Sequence, residues 1–375
     1  MSPIRVGLIG LASGAAPTRG VDGWASAAHL PFLKKSPHFE LVALLNSSVE
    51  SAQRAITKWN LSSSTKAYGD PHDLANDPNV DLVVCSVRVD RHFDTVRPSL
   101  VAGKAVFVEW PLERNIEVAR EMAALAAKHN APTIVGLQAS FSPVIRKVRS
   151  IIESGQIGRV LSSTSLGSFG NSVDAESVKV RYFLDRPVGG SPMSIHIGHS
   201  LETITSVLGK FTNFRSSLMI SRPTVDIKDY NDGGKIVEAA APNTVPDQVV
   251  ATGFIGPSNA QVAMKFYAGK EFPGHPRLDW RIQGEKGWLV VTSPVFFLNL
   301  GSPDIKIHIS NHETDTVREV APDKDEWDEL PVPAQNIARL YEAYRQQEWY
   351  PDFSWALQWH ETIEEMWKRF DEDKP

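Results

Sequence analysis

Short apolar runs alternate with stretches of helical spacing through the first third of the chain, and this alternation restricts it to a parallel sheet with crossover helices. Ile4 to Ile9, Leu41 to Leu45, Leu82 to Val87, Ala105 to Glu109 and Thr133 to Leu137 read as buried strands. Between them, Ser51 to Trp59, Arg91 to Ala102 and Ile116 to His129 carry apolar residues at helical spacing. Beyond residue 137 the pattern changes. Ser142 to Ser154 reads as a helix closed by the turn residues Gly155-Gln156-Ile157-Gly158. Strand-like stretches then follow one another: Val160 to Leu166, Phe211 to Ile220, Val249 to Ile255, Ala260 to Tyr267, Leu278 to Gln283, Trp288 to Thr292 and Ile305 to Ile309. A single helix, Met193 to Leu208, interrupts them. Strands in succession without intervening helices predict a mainly antiparallel sheet. Arg222 to Pro246, rich in Asp, Gly, Asn and Pro, reads as a long loop. Two helical patterns, Ala334 to Gln347 and Ser354 to Phe370, close the chain, with Trp359, Ile363, Met366 and Phe370 on one face of the last.

The expected fold class is therefore α/β. A parallel-sheet domain spans 1–137. An α+β domain with an open, mainly antiparallel sheet spans 138–375, and its last helices are free to pack back toward the first domain. A length of 375 residues suits two domains, and 42% hydrophobic content supplies their cores. The net charge of −5 and the lack of any Lys/Arg block remove the electrostatic source for nucleic-acid binding. The single cysteine, Cys85, excludes an internal disulfide and fits a small buried core position. No apolar run reaches 18 residues and no leader pattern precedes the first strand, so a cytoplasmic protein with no membrane partner is expected.

The opening strand ends in Gly7-Leu8-Ile9-Gly10-Leu11, and helical spacing resumes at Gly23-Trp24-Ala25-Ser26-Ala27-Ala28-His29. A Rossmann domain needs glycine here, because the backbone turns tightly and approaches the pyrophosphate, while the next helix offers free N–H groups. Ser13 to Asp22 interrupts the usual spacing as an insertion. At the end of the second strand, where a strict NAD site places an acid for the ribose, stand Asn46-Ser47-Ser48. No acid repels a 2′-phosphate and no arginine attracts one. The expected cofactor is NAD(P), with NADP slightly favoured because small hydroxyl and amide groups tolerate phosphate.

Gly7-Leu8-Ile9-Gly10, the stretch Ala102-Gly103-Lys104-Ala105-Val106-Phe107-Val108-Glu109-Trp110-Pro111-Leu112, and Gly189-Gly190 leading to Gly198-His199 resemble the glucose–fructose oxidoreductase, inositol dehydrogenase and rhizopine-catabolism (Gfo/Idh/MocA) superfamily. Gly23-Trp24, Val108-Glu109-Trp110, Thr244-Val245-Pro246-Asp247 and Gly284-Glu285-Lys286-Gly287 resemble its branch that contains the fungal galactose-regulon repressor. The resemblance implies a Rossmann domain followed by an open-faced sheet that commonly forms a homodimer interface. It also implies that nicotinamide and substrate meet between the domains.

Carried over residue by residue, the resemblance places Trp110 where most enzymes of the superfamily have a proton-exchanging lysine after the Glu matched by Glu109. It places Ile195 where they have an Asp four residues before the His matched by His199. Indole donates one N–H and exchanges no proton at neutral pH. His199 is then the expected general acid or base. Glu109, Tyr182 and Asp185 are further catalytic or substrate-binding candidates. Gly7, Gly10, Leu11, Gly23, Trp24, Asn46, Ser47, Arg88, His92, Glu109, Trp110 and Gln138 are the candidate cofactor contacts. His196 and His199 make only a two-ligand pair, so no metal is expected. Trp349, Trp355 and Trp359 read as core or interface aromatics. Two functions fit. One is an NAD(P)-dependent oxidoreductase of a sugar, polyol or similar small hydroxylated substrate, redox-neutral overall in one variant. The other is a non-catalytic NAD(P)-binding regulator that acts through protein contacts.

Overall fold

Near-continuous apolar sequence explains the first sheet, because strands buried on both faces have no polar side to show. The computed structural model describes residues 2–14, 23–169 and 175–373, so most of the Ser13 to Asp22 insertion lies outside the described residues. The strands β1 (Ile4–Ile9), β2 (Phe39–Leu45), β3 (Lys66–Tyr68), β4 (Leu82–Cys85), β5 (Ala105–Val108) and β6 (Thr133–Val135) form one sheet in the order β3-β2-β1-β4-β5-β6. Every pair in it is parallel. The crossovers are α1 (Leu30–Lys35), α2 (Val49–Lys58), α3 (Pro71–Asn76), α4 (His92–Val101) and α5 (Ile116–Lys128). Side chains set where they begin. Ser48 accepts from the Ser51 amide to start α2, Asp70 from His72 to start α3, and Asn115 from Val118 to start α5. Cys85 is buried in β4, and burial pushes its thiol up to about 12, so it is an inert core residue.

After α6 (Pro143–Glu153) come β7 (Val160–Ser168), β8 (Ala175–Ser177) and α7 (Gly198–Leu208). The chain continues through β9 (Phe211–Met219), β10 (Thr224–Asp229), β11 (Lys235–Pro242), β12 (Gln248–Ile255), β13 (Ala260–Tyr267), β14 (Leu278–Gly284), β15 (Trp288–Ser293), β16 (Lys306–Asn311) and β17 (Thr316–Val320). Eight of these strands make a mixed sheet, β17-β16-β15-β14-β7-β13-β12-β9, in which only β7 and β13 pair in parallel. One face is buried, as the alternating pattern of β12 and β13 requires. Trp280 sits fully inside it and donates its indole N–H to Ser163.

The segment expected as a long loop, Arg222 to Pro246, is instead the hairpin β10–β11, which joins β8 in a three-stranded sheet. Its turn residues mark a hairpin. Gly233 and Gly234 take positive φ at the bend, and Ile227 and Ala241 build a small core with Leu184. The last helices are α8 (Val332–Gln346) and α9 (Phe353–Glu372).

By its internal contacts the chain divides into two units. The first draws on Met1–Leu137, Pro187–Gly190 and Trp327–Glu361, and the second on Gln138–Arg186, Ser191–Glu326 and Thr362–Pro375. Within the first, Tyr341 of α8 stacks on Phe32 at 4.9 Å and touches Phe39 and Phe107 edge-on or tilted. Among the described residues no helix is long and apolar enough to cross a membrane.

Candidate dinucleotide and active site

At the end of β1 the chain passes through Gly10 at φ +94°. A Cβ there would lie 2.5 Å from the Ser86 carbonyl oxygen, so both the conformation and the space demand glycine. The following loop is held by its carbonyls. Asn46 Nδ2 donates to Leu11 O at 2.9 Å, Trp59 Nε1 to Ala12 O at 2.8 Å and Lys58 Nζ to Gly14 O at 2.6 Å. Asn46 Nδ2 also reaches Ser51 O at 3.3 Å, so both of its donor hydrogens are engaged and only its Oδ1 remains. Replacing Asn46 by Ala is expected to cost about 1 kcal/mol of stability, with weaker coenzyme binding as the loop loosens; thermal unfolding and calorimetry check both. Ser47 is exposed beside it.

Gly23, at φ +97°, leads into Trp24 and a π-helical turn, Ala25–His29, that runs on into α1. Among the described residues, the buried Trp24 indole N–H has no acceptor. A buried donor left unmade costs about 1–3 kcal/mol, and an oxygen of a pyrophosphate is the kind of group that would satisfy it. The glycine turn and this orphaned donor fit a dinucleotide. Arg88 is exposed and donates twice to Asp90, at 2.5 and 2.7 Å.

Glu109, just past β5, is the end of a buried chain. Its Oε1 lies 2.8 Å from His29 Nε2, and His29 Nδ1 lies 2.9 Å from the Tyr341 hydroxyl. The carboxylate accepts, so Nε2 carries the proton and Nδ1 accepts from Tyr341 O–H. Burial, then the charge of Glu109, keep the Tyr341 hydroxyl well above its ordinary range, so it stays a donor. Gly136 presses on the carboxylate, and a Cβ there would meet Glu109 Oε2. Trp110 is buried against the His360 ring at 4.7 Å. Burial, then His92, lower His360 to about 3. His92 itself is buried between Leu112 O at 3.2 Å and Val87 O at 3.1 Å, and burial lowers it too. Gly7 lies under Leu74, and Gly189 lies against Arg114, where a side chain would strike the Arg114 backbone.

In the second unit α7 is entered through another π-helical turn, Met193–Ile197, a geometry that recurs at functional sites. His199 is buried, and its Nδ1 accepts from Asn299 Nδ2 at 3.1 Å. Burial, then His196, lower it to about 3. Desolvation therefore opposes the charged form through which a general acid or base would pass. Its imidazole is neutral and offers an Nε2–H. One turn on, Glu202 is fully buried. Its Oε2 accepts from the Ala139 amide at 3.2 Å, and its Oε1 has no partner. Gln138 is buried beside that amide with its own Oε1 unpartnered.

Tyr182 and Asp185 lie on and just after a 3-10 segment, Val178–Leu184, with the Tyr182 ring edge-on to Phe183 at 5.0 Å. Thr244 and Asp247 of the Thr-Val-Pro-Asp motif are structural. Thr244 bonds Leu184 O and Arg186 N, and Asp247 accepts from Ser221 and Arg222. Trp359 is buried, whereas Trp349 is about half exposed. His29, Tyr341, His360, Asn299 and Glu202 were not singled out from sequence. Only His29 carried a signal, as the polar end of an otherwise small-residue helical run. Among the described residues no group of three or more His, Cys, Asp or Glu is placed to hold a metal ion.

The parallel sheet with its glycine turn, joined to a mainly antiparallel sheet, defines a two-domain α/β protein of the dinucleotide-binding class. Residues 4–137 match the family model described as oxidoreductase family, NAD-binding Rossmann fold, and residues 143–293 match that of the Gal80p C-terminal domain. The chain is 29% identical over 314 residues to "Dehydrogenase aclE" of Aspergillus oryzae, covering 83% of this chain and 82% of the relative. It is 26% identical over 323 residues to "Galactose/lactose metabolism regulatory protein GAL80" of Saccharomyces cerevisiae, covering 80% and 69%. A crystal structure of a super-repressor mutant of Gal80p from Saccharomyces cerevisiae shares the fold, with a TM-score of 0.87 at 23% identity over 99% of this chain and 97% of that one. Residues 4–137 thus match the NAD-binding Rossmann domain of the oxidoreductase family and residues 143–293 the C-terminal domain of the Gal80p type.

Proposed function

We propose that this protein is an NAD(P)-dependent oxidoreductase of a small hydroxylated molecule, a sugar, polyol or similar compound. The observations that carry the coenzyme half are the buried indole N–H of Trp24, without an acceptor among the described residues, and the obligatory glycine turn at Gly10. A bound nicotinamide supplies a hydride acceptor at its C4. His199 directs its Nε2–H at the substrate oxygen and steadies the charge that develops there. The hydroxyl proton leaves to water, because an imidazole held near 3 does not retain it. Glu109, fixed by His29, lies at the nicotinamide end, and Tyr182 and Asp185 take substrate hydroxyls. In a redox-neutral variant the hydride returns to the product of an intervening step. Asn46 has only an acceptor left, which suits a ribose hydroxyl better than a phosphate and shifts the preference from NADP toward NAD. The outer face of the eight-stranded sheet, where Leu166, Met219, Val250 and Phe254 are exposed, suits pairing with a second copy.

A second reading, a coenzyme-binding regulator, is favoured by Trp110 and by the weak basicity of His199, which together leave no ready proton acceptor. Calorimetry with NAD and NADP, and the ultraviolet absorbance of the reduced coenzyme with a substrate panel, separate the two. Trp24→Phe is expected to weaken coenzyme binding about tenfold, worth roughly 1.4 kcal/mol. Turnover lost in His199→Asn supports the enzyme. Coenzyme binding with no turnover of any candidate supports the regulator.

A further inference from the structure

We infer that the second unit holds a binding site of its own for a small aliphatic amine, in a cavity lined by Glu176 of β8, Val225 of β10 and the chain that follows β11. The cavity measures about 490 Å³ and opens to solvent, which is room for a small molecule. Its walls are mostly apolar, built by Phe169, Phe183, Leu184, Val225, Val245 and Pro246. Tyr182, Asp185, His196 and His199 do not line it, so its ligand is separate from the substrate of the proposed oxidoreductase.

Among the lining residues Glu176, Arg222 and Asp247 carry charge, and the three do not cancel. Arg222 is answered by Asp247, whose carboxylate lies 3.2 Å from Arg222 Nη1. The same carboxylate accepts from the Arg222 amide and from the Ser221 amide and hydroxyl, so it is fully engaged. Glu176 is answered by no cation. Its Oε1 accepts from the Ser177 amide at 2.9 Å, and no Lys, Arg or His among the described residues pairs with it. Burial pushes its carboxyl up and the Ser177 amide lowers it, with no charged neighbour among those residues acting on it. The five residues before β8, Gly170-Asn171-Ser172-Val173-Asp174, include no base. A half-buried carboxylate beside apolar walls is best neutralised by a cation that brings its own apolar body. An ammonium supplies the charge and the donors, and a short branched alkyl chain covers the walls. An alcohol of the same shape keeps the burial but loses the charge, and a carboxylate meets Glu176 with like charge.

Calorimetric titration of the whole chain at neutral pH with isopentylamine, isopentyl alcohol and isovalerate as probes tests this. The amine is expected to bind about tenfold more tightly than the alcohol, the difference between a hydrogen bond to a charged group and a neutral one. Isovalerate is expected to show no saturable binding. Glu176→Gln keeps the acceptor for the Ser177 amide and removes the charge. It is expected to bring the amine down to the affinity of the alcohol and to leave the alcohol unchanged. The comparison of the three probes needs no variant, so it decides the matter even if Glu176→Gln folds poorly. The inference is overturned if the alcohol or isovalerate binds as tightly as the amine, if the amine shows no saturable binding, or if folded Glu176→Gln retains the full amine affinity. Prior saturation with NAD is expected to leave the amine titration unaltered. A chain that binds no coenzyme ends the oxidoreductase reading and still reports on the amine site.

Discussion

Replacing Glu202 by Gln is expected to stabilise the protein at neutral pH, by on the order of a few kcal/mol, and by more above pH 8. Glu202 is fully buried on α7, with one carboxyl oxygen on the Ala139 amide and the other unpartnered. Burial pushes it from an ordinary value of 4.5 up to about 8, against the smaller lowering effects of the Ala139 and Ser140 amides and Arg149. The sign follows from proton counting. Between about 4.5 and 8 the unfolded chain has released a proton that the native protein retains, so native stability is full below 4.5 and falls as pH rises through 8. Glutamine keeps the oxygen that accepts from Ala139 and has no proton to lose. Urea unfolding of both proteins across this range is expected to show a gap that widens with pH. A gap independent of pH would mean that Glu202 is ionised in the native state or finds a partner there. Three buried histidines act on the acid side. His196, His199 and His360 are lowered from 6.5 to about 4, 3 and 3, so the native protein loses stability as pH falls below 6.5 toward those values. For these four groups together, the three histidines gain stability faster than Glu202 loses it as pH rises to 6.5, and only Glu202 acts above that, so stability is greatest near pH 6.5.

The second large effect is expected at His29. Substituting Leu removes the donor to Glu109 and the acceptor of Tyr341 in one step, and is expected to destabilise the protein by about 3 kcal/mol, because a buried carboxylate and a buried hydroxyl each lose a hydrogen-bond partner. The loss should be large because neither survivor has an alternative. The Glu109 carboxylate is pinned against Gly136, and the buried Tyr341 ring is packed among Phe32, Phe39 and Phe107. Adding Glu109→Gln to His29→Leu is expected to recover part of the loss, since the charge without a partner is then gone. If His29→Leu costs under about 1 kcal/mol, the chain from Tyr341 to Glu109 is not a supporting element. Coenzyme affinity measured on the same variants reports how far Glu109 shifts once it is released.

Much of this architecture was legible in the amino-acid order because local pattern and global fold agree. Val83, Val84 and Cys85 could only be a strand buried on both faces, and the alternation in β12 and β13 announced a sheet with one wet side. The hairpin β10–β11 was misread because the same Asp, Asn and Gly residues serve loops and tight turns. What distinguishes them is the small core at Leu184, Ile227 and Ala241, contributed by segments far apart in sequence. Gly10 could be assigned from the turn that it must make. The role of Asn46 could not, because its amide is committed to Leu11 O, and a short polar residue at a strand end does not show which neighbour it will serve. Tyr341 and Asn299 were beyond reach for the same reason. Their partners lie 312 and 100 residues away in the chain. His199 was picked out by its type and position, but its proton chemistry depends on desolvation, which only packing reveals.

Two of the histidines discussed above, His29 and His196, occupy helical turns wound one residue wider than an α-helix. Such a turn absorbs an insertion without disturbing the helix beyond it. Deleting one residue there would let the turn tighten to α-helical width with the helix on either side kept in phase, so that only the side chains of the turn itself are re-aimed. Single-residue deletion, rather than substitution, is therefore the lever for moving His29 or His196 while the scaffold stays put.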